Sequence, residues 1–72
     1  MTLLWIIENE DTGVPVTSGG QMVVALTPER AQEHAEEWTN ACAHLGGYYR
    51  ARQLGRQACL DLRVDDFFVL TN

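Results

Sequence analysis

Nucleophilic side chains are scarce and scattered in this sequence. The single serine is Ser18, within a Ser-Gly-Gly segment, and the two histidines are His34 and His44. Nucleophilic catalysis needs a nucleophile, a base and an orienting group within hydrogen-bond distance of one another. Nothing in the spacing of these residues joins such groups. The sequence therefore predicts no catalytic residue and a protein that is not an enzyme.

Side chains that bind metal ions are dispersed in the same way. His34 and His44 are ten positions apart, and Cys42 and Cys59 form no Cys-x-x-Cys pair. A structural zinc ion needs several ligands that converge on one point, usually from closely spaced pairs. We therefore expect no metal site, no cofactor and no cofactor-binding residue. Two cysteines are also fewer than a disulfide-stapled small protein usually has, which favours a reduced, cytoplasmic chain.

Charge and length exclude further classes of function. The 72 residues are enough for one domain, 1–72, and carry a net charge of −5 from ten acidic residues and five arginines. This excess of negative charge argues against direct binding to nucleic acid or to an anionic membrane. The longest apolar run, residues 3–7, is far shorter than a membrane span of about 20 residues. Glu8, Glu10 and Asp11 lack the spacing of a calcium loop, and we expect them to be solvated at the end of a hairpin.

Three strands are predicted within residues 3–26. Residues 3–8 are rich in β-forming side chains, residues 14–16 read as a short return strand, and residues 21–26 read as a third strand. Glycine and polar residues at 9–13 and 18–20 predict the turns between them. Pro15 has no N–H to donate, so its strand belongs at an edge or a bulge.

A helix is predicted over about residues 28–45. Thr27 is a suitable N-cap, Pro28 suits the first turn, and the glycines at positions 46 and 47 favour the end. Apolar residues recur at helical spacing along one stripe: Ala31, Ala35, Trp38, Cys42 and Leu45. We expect this stripe to be buried against the sheet.

The remainder of the chain predicts two or three more strands. Residues 48–54 read as a strand, with a helix over 49–54 as the alternative. Residues 57–64 alternate between apolar and polar types, which predicts a half-buried strand, and residues 67–70 predict a last strand. In this arrangement Trp38 and Leu45 of the helix should pack against Leu60 and Leu62.

The predicted fold class is α+β. Hairpin-length connections favour a small antiparallel sheet of about four to six strands, with one helix packed on one face. The predicted order is three strands, the helix, two strands and a possible last strand. Several strands carry apolar residues on both sides; in the first strand, for example, Leu4 and Ile6 alternate with Trp5 and Ile7. Because one helix covers only one face, we expect the other face to meet a partner or a second copy, as in a homodimer.

Two groups of residues are candidates for binding such a partner. The outer face of the helix carries the acidic group Glu29, Glu33, Glu36 and Glu37. The sheet carries an aromatic and basic group: Trp5, Tyr48, Tyr49, Arg50 and Arg52. Aromatic side chains mixed with arginines are also typical of nucleic-acid-binding surfaces, so a nucleic-acid-associated regulator that uses Arg50, Arg52 and Arg56 stays an alternative.

The chain resembles small phage-encoded accessory proteins, such as anti-CRISPR proteins and other inhibitors of host complexes. The resemblance lies in its size, its acidic charge and its order of elements. It implies stoichiometric binding to a larger protein or complex in the host cytoplasm, without chemistry, and an acidic helix face that occupies a groove for nucleic acid. The alternative is a small structural or assembly subunit that homodimerises through its sheet.

Overall fold

A five-stranded sheet with one long helix forms the frame of the molecule. The computed structural model describes residues 2–71. Its strands and helices, in chain order, are β1 (Trp5–Asn9), β2 (Thr17–Ser18), β3 (Gln21–Ala25), α1 (Pro28–Ala41), β4 (Tyr49–Gln53), α2 (Arg56–Asp61) and β5 (Phe67–Val69). Single 3₁₀ turns lie at Ala43–Leu45 and Val64–Asp66. The predicted fold class is confirmed, as is the choice of strand over helix for β4.

Strand β1 lies in the middle of the sheet and pairs antiparallel with both β3 and β4. Strand β3 also pairs with β5, along its edge away from β1. This pairing is parallel, with Met22 opposite Phe67. The connection is long enough to permit the parallel direction. Between β4 and β5 the chain passes through α2 and a 3₁₀ turn before it reaches the far side of β3, so β5 does not return as a hairpin.

Residues 14–18 fill a gap between β1 and β3. The two strands pair directly at Ile6 and Val24 and then separate. Val16 enters between them, where its N–H donates to the Ile7 carbonyl at 2.8 Å and its carbonyl accepts from the Val23 N–H at 3.1 Å. The predicted return strand is thus reduced to a single bridge between Pro15 and Glu8, followed by the short β2.

Helix α1 begins where the sequence predicts and ends earlier. The Thr27 hydroxyl accepts a hydrogen bond from the Arg30 N–H at 3.2 Å, and Pro28 occupies the first turn. The helix stops at Ala41, and residues 43–45 tighten into the 3₁₀ turn. Gly46, with φ of 74°, then reverses the chain toward β4, in a conformation that glycine adopts without strain.

The predicted strand over 57–64 is wrong, because residues 56–61 form α2. Apolar and polar residues alternate along this segment, which suggests a strand. Cys59 and Leu62, however, are three positions apart, as on one side of a helix, and both pack into the core. Leu60 is 56% exposed and Leu45 is 75% exposed. The predicted contact of Trp38 and Leu45 with Leu60 and Leu62 is therefore also wrong, since α1 and α2 cover opposite faces of the sheet.

The apolar core has two halves, one on each face of the sheet. The half under α1 comprises Ile7, Val16, Val23 and Ala35, with Trp38, Tyr49, Phe68 and Leu70 packed against them. The half under α2 comprises Leu4, Ile6, Val24, Leu54 and Cys59, with Leu3, Met22, Leu62, Phe67 and Val69 at its margin. Apolar residues on both faces of the strands thus pack against other parts of the same chain. The homodimer stays a prediction. Within residues 2–71, no helix combines the length and the apolar character that a membrane crossing requires.

Two matched leucine substitutions test the assignment of α2. Leu62 packs against the core and Leu60 is exposed, so Leu62→Ala should lower the free energy of unfolding by about 1–2 kcal/mol. Leu60→Ala should change it by less than about 0.5 kcal/mol. Urea denaturation measures both values. A strand over 57–64 would place both leucines on one face, and equal losses from the two variants would therefore contradict the helix.

Candidate functional site

The sheet contains a buried carboxylate, that of Glu8, which binds two arginines. Glu8 lies on β1, on the same face as Leu4 and Ile6, and is only 2% exposed. Burial of an ionised carboxylate is unfavourable unless cations and hydrogen bonds compensate for the lost water. The strand register provides them, because Arg50 lies opposite Glu8 and Arg52 lies opposite Ile6.

Each oxygen of the Glu8 carboxylate is bound by a different arginine. The Nε of Arg50 donates to Oε1 at 2.9 Å, and the Nε of Arg52 donates to Oε2 at 3.0 Å. The carboxylate is buried, whereas the two arginine side chains are 51% and 49% exposed. One negative charge thus holds two positive charges in place, and the cluster presents a net positive charge at the surface.

The pKa of Glu8 reflects this arrangement. Burial alone would raise the pKa of the carboxyl group, because it penalises the charged form. The hydrogen bonds and charges of Arg52 and Arg50 outweigh burial and hold the pKa below its ordinary value of 4.5. Glu8 is therefore ionised at neutral pH. The sequence-based expectation that Glu8 is solvated is wrong, although its neighbours Glu10 and Asp11 are exposed.

An aromatic cleft lies on the opposite face of the sheet. The rings of Trp38 and Tyr49 are 5.5 Å apart between centroids and tilted by 51°. Together with residues of the 9–17 loop they line a cleft of about 360 Å³. A second, smaller cleft of about 210 Å³ lies on the other side of Trp38, between His34, Glu37 and Ala41. Trp38 thus forms a ridge that separates two shallow, mostly apolar depressions.

Hydrogen bonds position Trp38 and the adjoining residue of α1. The indole Nε1 of Trp38 donates to Nε2 of His34 at 2.9 Å, one helical turn away. On the other side, the Thr39 hydroxyl bonds to the backbone of Tyr49, accepting from the N–H at 2.9 Å and donating to the carbonyl at 3.4 Å. These contacts join α1 to the start of β4. The aromatic pair therefore lies beside a direct hydrogen-bonded link between α1 and β4.

The outer face of α1 carries the predicted acidic group, and all four carboxylates are exposed. Glu33 lies 3.6 Å from the guanidinium of Arg30, and Glu36 accepts a hydrogen bond from Gln32 at 3.3 Å. Glu37 lies 3.5 Å from Nδ1 of His34 and borders the smaller cleft. The acidic face is therefore continuous with the apolar surface around Trp38.

The nine predicted binding residues do not form one surface. Arg50 and Arg52 join Glu8 on one face of the sheet, and Tyr49 joins Trp38 on the other. Tyr48 is 60% exposed at the turn before β4, and Trp5 is half-buried at the start of β1. Sequence reasoning missed Glu8. The sequence does contain a signal for the burial of Glu8. Because Leu4, Ile6 and Glu8 are two positions apart, they lie on the same face of a strand, and Glu8 therefore has apolar neighbours.

Neither possible metal ligands nor similarity to known proteins identifies a further site. Among residues 2–71, no group of three or more His, Cys, Asp or Glu side chains is placed to hold a metal ion. Comparison of the chain with protein-family models, curated proteins and solved structures finds no match.

Substitutions in the Glu8 cluster should differ according to which charge they leave behind. Removing both arginines, with Arg50→Gln and Arg52→Gln, leaves a buried carboxylate without a cation and should cost about 3–5 kcal/mol of stability. Glu8→Gln leaves two half-exposed arginines that can reach water, so it should cost less, about 1–3 kcal/mol. Urea denaturation at neutral pH measures both. A larger loss from Glu8→Gln than from the double arginine variant would contradict the assigned roles.

Acid should weaken the fold through Glu8. Because its pKa is lower in the folded chain than the ordinary 4.5, its stabilising contribution is complete above that value and is lost as the pH falls through the folded pKa. Between neutral pH and about pH 3, wild type should therefore lose more stability than Glu8→Gln. Urea midpoints at the two pH values measure the difference. Equal losses in the two proteins would show that Glu8 has the same pKa folded and unfolded.

Proposed function

We propose that this chain is a non-enzymatic protein-binding module whose working surface is the outer face of α1 together with the clefts beside Trp38. The observation that carries the proposal is the continuity of the two parts. Exposed carboxylates border a half-buried tryptophan that has an apolar depression on each side. Apolar pockets at the centre and charged groups at the rim are the usual anatomy of a protein interface.

The charges on α1 favour a basic partner. Glu29, Glu33 and Glu37 follow one another at four-residue spacing, where like charges repel along a helix. Arg30 is the only arginine within 4 Å of any of them among the residues described. A basic surface would relieve this repulsion and would speed the encounter between the two proteins. The partner segment should therefore carry arginine or lysine residues beside an apolar side chain that enters a cleft.

The finer hypothesis concerns the identity of the partner. The resemblance to phage-encoded inhibitors supports a larger host complex as the target and the host cytoplasm as the compartment. In that case the acidic face of α1 occupies a basic groove that otherwise holds nucleic acid. The alternative of a nucleic-acid-associated regulator is weakened by Glu8, since it neutralises one of the two charges that Arg50 and Arg52 would offer to phosphates.

Neutralising the acidic face tests the proposal. Tagged wild type and a variant carrying Glu33→Gln, Glu36→Gln and Glu37→Gln are used to isolate a partner from host cells and to measure its affinity. The variant should remain folded, because the three side chains are exposed. We expect its affinity to fall by about tenfold or more and its salt dependence to flatten, because charge pairs across the interface are lost.

A control with the same change in charge separates a local effect from a general one. Asp61→Asn, Asp65→Asn and Asp66→Asn remove three exposed carboxylates from the end of α2 and from the 3₁₀ turn before β5. This variant should bind the partner as wild type does. Unchanged affinity in the glutamine variant, or an equal loss in both variants, would overturn the proposal for the α1 surface.

A further inference from the structure

The outer side of β4 is an open strand edge. Among residues 2–71, β4 pairs only with β1. The Leu54 N–H donates to the Leu4 carbonyl at 2.8 Å, and the Glu10 N–H donates to the Tyr48 carbonyl at 2.9 Å. In an antiparallel pair, the hydrogen-bonded positions alternate with positions whose backbone groups point away. Tyr49, Ala51 and Gln53 therefore direct their N–H and carbonyl groups outward.

Only one of these three outward positions is bonded within the described part of the chain. The backbone of Tyr49 is bound by the Thr39 hydroxyl, which accepts from its N–H and donates to its carbonyl. Ala51 and Gln53 have no such partner between residues 2 and 71. Their two N–H and two carbonyl groups match the bonds that an added strand would make. Open edges of this kind are the sites at which extended peptides join a sheet.

The side chains beside the edge select the kind of strand. Arg50 and Arg52 alternate with Ala51 and Gln53 and are half exposed. Both bind Glu8 through Nε, which leaves the terminal nitrogens of each guanidinium directed to no acceptor among residues 2–71. An extended segment that carries carboxylates at alternate positions would place them next to these nitrogens while its backbone completes the ladder.

Other occupants fit the edge less well. In a symmetric antiparallel pairing of two copies, the arginine pair of one β4 would face the arginine pair of the other, and like charges directly opposite each other are destabilising. Nucleic acid offers phosphates to the arginines but no alternating donors and acceptors for Ala51 and Gln53. We infer that the β4 edge is a second binding surface, distinct from the α1 surface, that takes an acidic extended peptide segment as an added strand.

Peptide binding followed by amide NMR tests this inference. The probe is a capped peptide of about nine residues that alternates glutamate with valine, and its matched control replaces each glutamate by lysine. The glutamate peptide should shift the amide signals of Ala51 and Gln53 and slow their hydrogen exchange, and the lysine peptide should not. Signals on the outer face of α1 should remain unchanged, which keeps this result independent of the function proposed for that face.

Two variants and a competitor complete the test. Ala51→Pro removes an outward N–H and leaves the hydrogen bonds between β4 and β1 intact. The circular dichroism spectrum should therefore remain that of the folded protein, while the affinity for the glutamate peptide should fall by about tenfold or more. Arg63→Gln makes the same change in net charge before β5, at the other edge of the sheet, and should bind as wild type does. Equal binding to Ala51→Pro would overturn the inference. So would a single-stranded oligothymidine that shifts the Ala51 and Gln53 signals more strongly than the glutamate peptide.

Discussion

The buried carboxylate of Glu8 is the constraint on which the arrangement of β1 and β4 depends. Among residues 2–71, β1 is the only strand that pairs with β4, so the strand register of β4 depends on its pairing with β1. A slip of one residue would turn Arg50 and Arg52 toward the core under α1 and leave Glu8 buried without a cation. The cost of an unpaired buried charge is several kcal/mol, which is comparable with the whole stability of a small domain. The cluster thus specifies one register among those that backbone hydrogen bonding alone would permit.

The short helix α2 resolves a problem that the sheet creates. Strands with apolar residues on both sides need cover on both faces, and α1 covers only one. Cys59 of α2 and Leu62, the residue that follows the helix, pack into the core on the other face, and the Cys59 thiol also accepts a hydrogen bond from the Leu4 N–H at 3.4 Å. The cover ends before the Glu8 cluster, where the half-exposed arginines replace apolar side chains. Each face of the sheet therefore has a packed part and an open part.

The sequence predicted most elements of this fold from local signals. Thr27 and Pro28 mark the start of α1, and β-forming runs mark β1, β3 and β5, because each signal depends only on neighbouring residues. The α2 segment was predicted as a strand because apolar and polar residues alternate over 57–64 with the two-residue period of a strand. The spacing of Cys59 and Leu62 fits the period of a helix instead. The Glu8 cluster was beyond sequence reasoning for another reason. Glu8 is more than 40 positions from both arginines, and the three side chains meet only through the register of β1 with β4.

The same alternation that builds β4 connects its two surfaces. Tyr49 packs against Trp38 on the α1 side, and the next residue, Arg50, binds Glu8 on the other side. Adjacent residues of one strand thus contribute to the aromatic ridge and to the arginine pair, on opposite faces of the sheet. Preorganised groups lose less entropy when a partner binds. Carboxylates are concentrated on α1, and the terminal guanidinium nitrogens beside β4 meet no acceptor among residues 2–71. The molecule therefore presents opposite charges on opposite sides of one sheet, and partners that bind the two sides should differ in charge.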